Sequence, residues 1–177
     1  MFVTTFTSDC SDLSGTPLPR PPFQILRNFR DVTRTEAAIT EAADAANLTK
    51  RQRQKIPKFF VTRSRTPSIY EFDTRILGRR PDFHLLTYLG TTPAAKATTA
   101  ANRAWVFSNY GTRPAPTGQQ LDEFPYASTV QGGPLGPAEG EYVPRRENSR
   151  QGGDLRAFYA FKLYWTAQPF LVVPVDA

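Results

Sequence analysis

The chain has 177 residues, of which 40% are hydrophobic and 21% are charged, and this composition predicts one soluble globular unit with a single core. No apolar run approaches the roughly 20 residues that a membrane-spanning helix needs, so we do not expect a membrane protein. The single cysteine, Cys10, excludes an intramolecular disulfide and a thiolate metal cluster.

The net charge of +6 is concentrated in the first 80 residues, which carry 14 Lys and Arg against 8 Asp and Glu, whereas residues 81–177 carry 8 of each. The densest part, residues 50–65, has seven cations and no acid, and begins with Lys50, Arg51 and Arg53. Such a block attracts polyanions. A solvated basic surface explains it equally well, so a nucleic acid contact and a bland exposed face both stay open.

The first half of the chain predicts one helix and three strands. An alanine-rich run beginning near Thr33 predicts a helix, with Thr33 and Glu36 as a capping box, that frays into the basic block. The runs 58–64 and 68–76 alternate apolar and polar residues and predict two strands of a hairpin. A third strand is expected at 83–90.

The second half predicts two further helices, a hairpin and a last strand. A helix is expected at 94–107, followed by a loop at 108–120, and another helix at 154–165 with Asp154 at its N-terminus. The apolar run 169–175 predicts a buried strand. This order of elements predicts an α+β fold, in which helices pack on a small antiparallel sheet.

We expect one compact domain overall, with three parts that differ in composition. Residues 1–22 are rich in Thr, Ser and Pro and predict a flexible arm. Residues 23–82 form a basic portion of helix and strands, and residues 83–177 form the core. The first residues lack a basic region followed by a continuous apolar stretch, so no signal peptide is recognised.

Residues 122–153 gather acidic, amide and cationic side chains at both ends of a glycine-rich predicted hairpin. The side chains concerned are Asp122 and Glu123 at its start and Arg145, Arg146, Glu147, Asn148 and Gln151 at its end. A cation such as Mg²⁺ binds one or two carboxylates with an amide oxygen and water, and arginines bind phosphate oxygens. The pattern therefore predicts a metal and phosphate site, with a structural network of ion pairs as the alternative.

The only histidine, His84, is a candidate general base because its ordinary pKa is near ~6.5. Its place in an alternating run favours a hydrogen-bonded structural role instead. Trp105 and Trp165 stand at helical spacing and are expected in the core.

Three segments, ANRAWVF, DEFPYASTVQGG and YVPRRENSRQGGDLRAFY, occur in an order and spacing that resembles the NucA/NucB deoxyribonuclease family. In that family an Asp-Glu-aromatic-Pro-x-Ala motif is followed by Gly-Gly and an Asn-centred motif, with an Asn-Arg helix upstream. The likeness covers roughly Phe83 to the C-terminus, which makes 83–177 the expected nuclease core. It is greatest for members found as the C-terminal domains of bacterial toxins.

The resemblance implies metal-dependent endonucleolytic cleavage of DNA without strong sequence specificity, with Mg²⁺ or Mn²⁺ as cofactor. Carried onto this chain, it assigns catalysis to Asp122, Glu123, Arg103 and Asn148, and metal binding to Asp122, Glu123 and Asn148. Substrate contacts are expected from Arg145, Arg146 and Gln151 and, outside the resemblance, from Lys50, Arg51 and Arg53.

The arrangement also resembles the ββα-metal nucleases, in which a hairpin and a helix share one cation. There the proton acceptor is usually a histidine, whereas Glu123 stands at that place here. Val130 and Gln131 stand where some members have acidic residues. Both assignments of Asp122 and Glu123, as ligand or as base, therefore stay open.

DNA is the expected partner, and a toxin-type member is expected to have an acidic inhibitor protein that matches its basic site. Secretion or delivery outside the cell is expected, with no membrane partner and no small-molecule cofactor. Two alternatives are an RNase of the same fold and a non-catalytic nucleic-acid-binding module. The intact acidic pair argues against the second, because a phosphate-binding site gains nothing from two carboxylates.

Overall fold

The structure, a computed structural model, describes residues 29–112, 114–163 and 166–177. The predicted arm at 1–22 and Trp165 lie outside the described residues. Within them the helices are α1 (Phe29–Ala45), α2 (Lys50–Lys55), α3 (Pro67–Arg79), α4 (Pro93–Tyr110) and α5 (Arg145–Lys162), and the strands are β1 (Lys58–Thr62), β2 (Leu85–Thr87), β3 (Gln119–Phe124), β4 (Glu139–Pro144) and β5 (Pro169–Val175). No helix in this part of the chain is long and apolar enough to cross a membrane.

The strands form two small sheets, which confirms the α+β fold. In the first sheet β5 is central, parallel to β1 and antiparallel to β2. The second is the antiparallel hairpin of β3 and β4. The expectation of an antiparallel sheet is wrong for the first sheet, because β1 pairs with β5 in parallel. The long stretch of chain between β1 and β5 allows this direction of pairing. Strands of the basic portion and of the core thus share one sheet.

The central strand β5 separates two layers of core. Side chains alternate along a strand, so Phe170 and Val172 face α3, α5 and β3, whereas Leu171 and Val173 face α1. All four side chains are fully buried, and each contributes about 1.5–3 kcal/mol relative to exposure. The hairpin and α5 therefore lie on one face of the sheet, and α1 lies on the other.

The run 68–76 forms helix α3, so the strand predicted there is wrong. Its buried residues are Ile69, Phe72, Asp73, Ile76 and Leu77. These positions follow the i, i+3, i+4, i+7, i+8 spacing of a helix with one face in the core. A proline occupies the first helical position, where its missing N–H costs nothing.

The alanine-rich helix is confirmed, but it begins at Phe29, four residues before Thr33. Thr33 therefore lies inside α1, and the predicted capping box there is wrong. The basic block does not fray from α1 but forms its own helix, α2. Thr49 caps α2 because its hydroxyl accepts from the Gln52 amide at 3.3 Å, while the Gln52 side chain accepts from the Thr49 amide at 2.9 Å.

The helix predicted to start at Asp154 instead begins at Arg145. Asp154 lies in the interior of α5 and pairs with Arg65 at 2.9 Å, rather than capping the helix. Asn148 and Gln151 are consequently helical residues and not parts of a loop. The helix predicted at 94–107 and the strand predicted at 169–175 are confirmed as α4 and β5. The strand predicted at 83–90 is shorter than expected: it is β2, which follows a short 3-10 helix.

Candidate active site

The two neighbouring carboxylates of β3 point to opposite faces of the strand. Asp122 is 4% exposed and shares the core face with Phe124. The Glu123 side chain is 20% exposed and faces α4. Successive side chains of a strand alternate between its faces, so the structure does not bring the acidic pair together on one side.

Asp122 enters an interior space that also holds an acid from α3. Asp73 is fully buried, and its Oδ2 accepts hydrogen bonds from the Tyr126 hydroxyl at 3.2 Å and from Gln151 Nε2 at 3.5 Å. We name Asp73, Asp122, Tyr126 and Gln151 the interior cluster. Its acids come from β3 and α3, and its amide comes from α5.

The carboxyls of the interior cluster are held in an environment that disfavours their charge. Burial raises the pKa of Asp73 well above its ordinary value, and the negative charge of Asp122 raises it further. Burial likewise raises the pKa of Asp122, with a further contribution from the charge of Glu123. Asp73 Oδ1 and Asp122 Oδ2 are buried and have no hydrogen-bond partner among the described residues. Such groups are costly unless something satisfies them.

Asn148 lies beside the strand that carries Asp122. Its Nδ2 donates to the backbone oxygen of Leu121 at 3.3 Å. Asn148 and Gln151 are three residues apart on α5, so they share one face of the helix. The amide of Asn148 is thereby fixed against β3 at the residue before Asp122.

The donors present here suit a hard divalent cation. The unsatisfied carboxylate oxygen of Asp122 and the amide oxygen of Asn148, whose Nδ2 binds the residue before Asp122, are of the kind that Mg²⁺ and Mn²⁺ prefer as ligands. No group of three acidic, histidine or cysteine side chains in the described ranges is placed to hold a metal ion. A cation at this position would therefore bind few carboxylates and complete its shell with amide oxygen and water.

Glu123 forms the other half of the candidate site, with Arg103 from α4. Arg103 Nε lies 3.6 Å from Glu123 Oε1, and the Arg103 side chain is 67% exposed. Burial raises the pKa of Glu123, which the positive charge of Arg103 and the backbone N–H of Ala127 oppose. A carboxylate whose pKa is raised toward neutrality is a better proton acceptor in general-base catalysis.

Asn102 explains why an Asn-Arg pair and a Gly-Gly pair accompany the acidic motif. The Asn102 side chain is buried, and its Nδ2 donates to the Ala127 oxygen at 2.9 Å. A Cβ at Gly133 would lie 2.4 Å from Asn102 Oδ1, and Gly133 has a φ of 62°, which favours glycine. Asn102 therefore anchors the turn after Glu123, and the next residue, Arg103, reaches Glu123 itself.

The residues predicted to contact substrate separate into exposed and buried ones. Arg145 and Arg146 are exposed in the first turn of α5. Gln151 is 4% exposed and donates to Asp73. Its expected contact with substrate is therefore wrong, because its side chain faces the interior from a helix.

The part of the basic block that lies on α2 is not placed beside the acidic residues of the candidate site. Lys50, Arg51 and Arg53 lie on α2, which contacts α1, and the residues flanking α2, Leu48 and Ile56, pack in the core layer that α1 covers. Of the two faces of the central sheet, this is the one away from the hairpin and α5. The cations of α2 thus form a separate basic surface, whereas Arg65, at the other end of the block, pairs with Asp154 on α5.

His84 is buried, and its Nδ1 lies 2.8 Å from the backbone oxygen of Val172. Burial lowers its pKa, and this environment matches the structural role that we expected for it. Asp73, in contrast, is a cluster residue that sequence reasoning missed. The available signal was an acid on the apolar face of a helix, between Ile69 and Ile76.

A family model described as Deoxyribonuclease NucA/NucB matches residues 84–173, which is 90 of the 177 residues. The match contains α4, the hairpin and α5, and thus Asp122, Glu123, Arg103 and Asn148. It leaves out α3, with Asp73, and α2. No curated protein matches the chain at a significant level.

Proposed function

Because the chain belongs to the NucA/NucB deoxyribonuclease family and is therefore a nuclease, we propose that it is a divalent-metal-dependent endonuclease that hydrolyses DNA phosphodiester bonds. The observation that carries the metal dependence is the unsatisfied, buried oxygen of Asp122, the residue after the Leu121 whose backbone oxygen binds Asn148. A water-facing surface carboxylate would need no such partner. This one gains a partner when a cation binds.

The two carboxylates would have different tasks because their environments differ. Asp122 and Asn148 would hold the cation, Mg²⁺ or Mn²⁺. When bound, that cation supplies polarisation of the phosphoryl group and stabilisation of the leaving oxygen. Glu123, with its raised pKa and partial exposure, would accept the proton of the attacking water.

The exposed arginines would bind DNA through its backbone. Arg145 and Arg146 offer guanidinium groups at the start of α5, and Arg103 offers one from α4, beside Glu123 of β3. Contacts to phosphate position the duplex but carry no sequence information, so we propose cleavage without strong sequence specificity. Arg103, next to Glu123, would also offset charge that develops in the transition state.

We further propose the biological setting of a secreted or delivered toxin, with a dedicated acidic inhibitor protein as partner. This part rests on the likeness of the Glu-Asn-x-x-Gln-Gly-Gly pattern to toxin-type members. Co-purification of the tagged chain with an acidic protein from the cells that produce it tests this setting separately from the chemistry.

Plasmid nicking by the full chain tests the proposed activity. We expect nicking with Mg²⁺ or Mn²⁺ and none with EDTA. Asp122→Asn and Glu123→Gln keep the shape of each side chain and should slow nicking by about 10²-fold or more. Asp82→Asn, which removes an equal charge from an exposed ion pair, is the control and should cleave normally.

Circular dichroism shows whether each variant is folded, and a parallel assay on RNA tests the RNase alternative. Nicking at the wild-type rate by both folded site variants would show that the residues are wrongly assigned. Tight DNA binding without nicking under any metal condition would favour a non-catalytic binding module.

A further inference from the structure

We infer that Asp73 is a further ligand of the cation in the proposed site, binding it together with Asp122 and Asn148; this inference rests on the proposed function. Asp73 belongs to α3 and lies outside the residues that the family model matches. It therefore adds to the site a side chain that the motifs do not contain.

The first argument is the state of its carboxylate oxygens. Asp73 is fully buried and Asp122 is 4% exposed, yet each keeps one oxygen without a hydrogen-bond partner among the described residues. Buried polar atoms are almost always satisfied in native proteins. Two unsatisfied carboxylate oxygens in one interior space point to a ligand that accepts electron pairs from both, which is what a cation does.

The second argument is charge. Asp73 on α3 and Asp122 on β3 belong to elements that contact each other, and the negative charge of Asp122 raises the pKa of Asp73. Neither has a Lys or Arg partner in the part of the chain that the structure describes. Burial disfavours the ionised form of both carboxyls, and neighbouring negative charge disfavours it further, which is why the pKa of each is raised. A divalent cation between them would balance their charge.

The third argument is orientation. Tyr126 and Gln151 both donate to Oδ2 of Asp73, which leaves Oδ1 as the free oxygen. Hydrogen bonds to one oxygen of a ligating carboxylate fix the direction of the other, as partners outside the coordination sphere of a metal commonly do. Gln151 is also one turn from Asn148, so α5 links the orienting amide to the third proposed ligand.

The competing explanation is that Asp73 only accepts hydrogen bonds from Tyr126 and Gln151 and stabilises the packing of α3. Calorimetric titration with Mn²⁺ and thermal unfolding with and without Mn²⁺ separate the two roles, because neither needs turnover. The variants are Asp73→Asn and Asp122→Asn, with Asp82→Asn as the control that removes the same charge from the surface.

We expect Asp73→Asn to weaken Mn²⁺ binding by about tenfold or more and to remove most of the rise in unfolding temperature that Mn²⁺ causes. Without metal the variant should be at least as stable as the wild type, since a neutral amide replaces a buried carboxyl whose charge is disfavoured. A purely structural Asp73 predicts the reverse: lower stability without metal and an unchanged response to Mn²⁺.

Hydrogen exchange of the wild-type chain gives a readout that does not depend on a variant folding. Binding at Asp73 joins α3 to β3, so Mn²⁺ should slow exchange of the α3 amides around Asp73 as well as those of α5. Slowing confined to α5 and β3 would overturn the inference. If Asp122→Asn loses Mn²⁺ binding while Asp73→Asn keeps it, the inference fails and the proposed function stands. If the wild type binds no Mn²⁺, both fail.

Discussion

The Nε atom of Arg103 lies 3.6 Å from Oε1 of Glu123, and this contact joins α4 to β3 on the face opposite Asp122. Two thirds of the Arg103 side chain is nevertheless exposed. A guanidinium carries five N–H donors in a rigid fork, so one carboxylate at this distance leaves most of them available. The pair thus combines a partly enclosed acid with a cation that is open to a phosphate.

We expect Arg103→Ala to slow DNA cleavage by about 10²-fold, because one positioned donor for the transition-state charge is lost. Arg103→Lys should recover only part of the rate, since an ammonium cannot bind a phosphate in a bidentate way. Single-turnover nicking at saturating DNA measures this effect.

Lys96→Ala is the matched control for Arg103, because it removes one exposed positive charge near the other end of α4. Its cleavage rate should stay close to that of the wild type. Equal, small losses in Arg103→Ala and Lys96→Ala would mean that Arg103 contributes only general electrostatic attraction.

A helix or strand is predictable from sequence where its apolar residues follow one clear spacing, or where proline and glycine mark both of its ends. Pro93 and Gly111 bound α4, and the continuous apolar run of β5 marks a buried strand. The run 68–76 is ambiguous because the acid Asp73 occupies a core position of its helix. A polar residue on the buried face removes one match to the helical period, and the remaining letters then alternate like a strand.

The residue types of the candidate site are predictable, because Asp122 and Asn148 stand in contiguous motifs. The directions of the side chains are not predictable in the same way. Asp122 and Glu123 are neighbours in sequence, but on a strand neighbouring side chains point to opposite faces. The contribution of Asp73 depends on how α3 packs against β3 and α5. That is a tertiary relationship, and no local spacing encodes it.

The basic surface on α2 should contribute to binding of long DNA but not to chemistry. Reversing Lys50, Arg51, Arg53 and Lys55 to Glu should weaken binding of a long duplex and flatten its dependence on salt, because fewer counterions are released. The surface lies on the face of the central sheet away from the hairpin. A duplex of about 8 base pairs, roughly 27 Å long, is expected to occupy the active site without reaching α2. The wild type and the charge-reversed variant should therefore bind and cleave it almost equally.

Exchanging Lys for Arg and Arg for Lys at the same four positions keeps the charge and is the control for the integrity of α2. Affinity measured between low and moderate salt gives the slopes. If charge reversal leaves the salt slope of the long duplex unchanged, α2 does not touch DNA, and its exposed cations are a bland solvated face.

Asn148 gives the sharpest test of how the cation is held. Asn148→Ala removes an amide oxygen and the 3.3 Å hydrogen bond to Leu121, so it should weaken Mn²⁺ binding and slow cleavage, with partial recovery at high metal. Asn148→Asp should bind Mn²⁺ more tightly yet cleave more slowly, since added negative charge reduces the polarising power of the cation. Loss of the hydrogen bond itself costs about 0.5–1.5 kcal/mol of stability.

Asn109→Ala, which breaks a hydrogen bond from a helical asparagine to a backbone oxygen on α4, controls for that loss. Calorimetric Mn²⁺ titration and nicking rates on the three variants measure both effects. Wild-type metal affinity and cleavage in both Asn148 variants would show that this residue only ties α5 to β3, and that the cation is held by carboxylates alone.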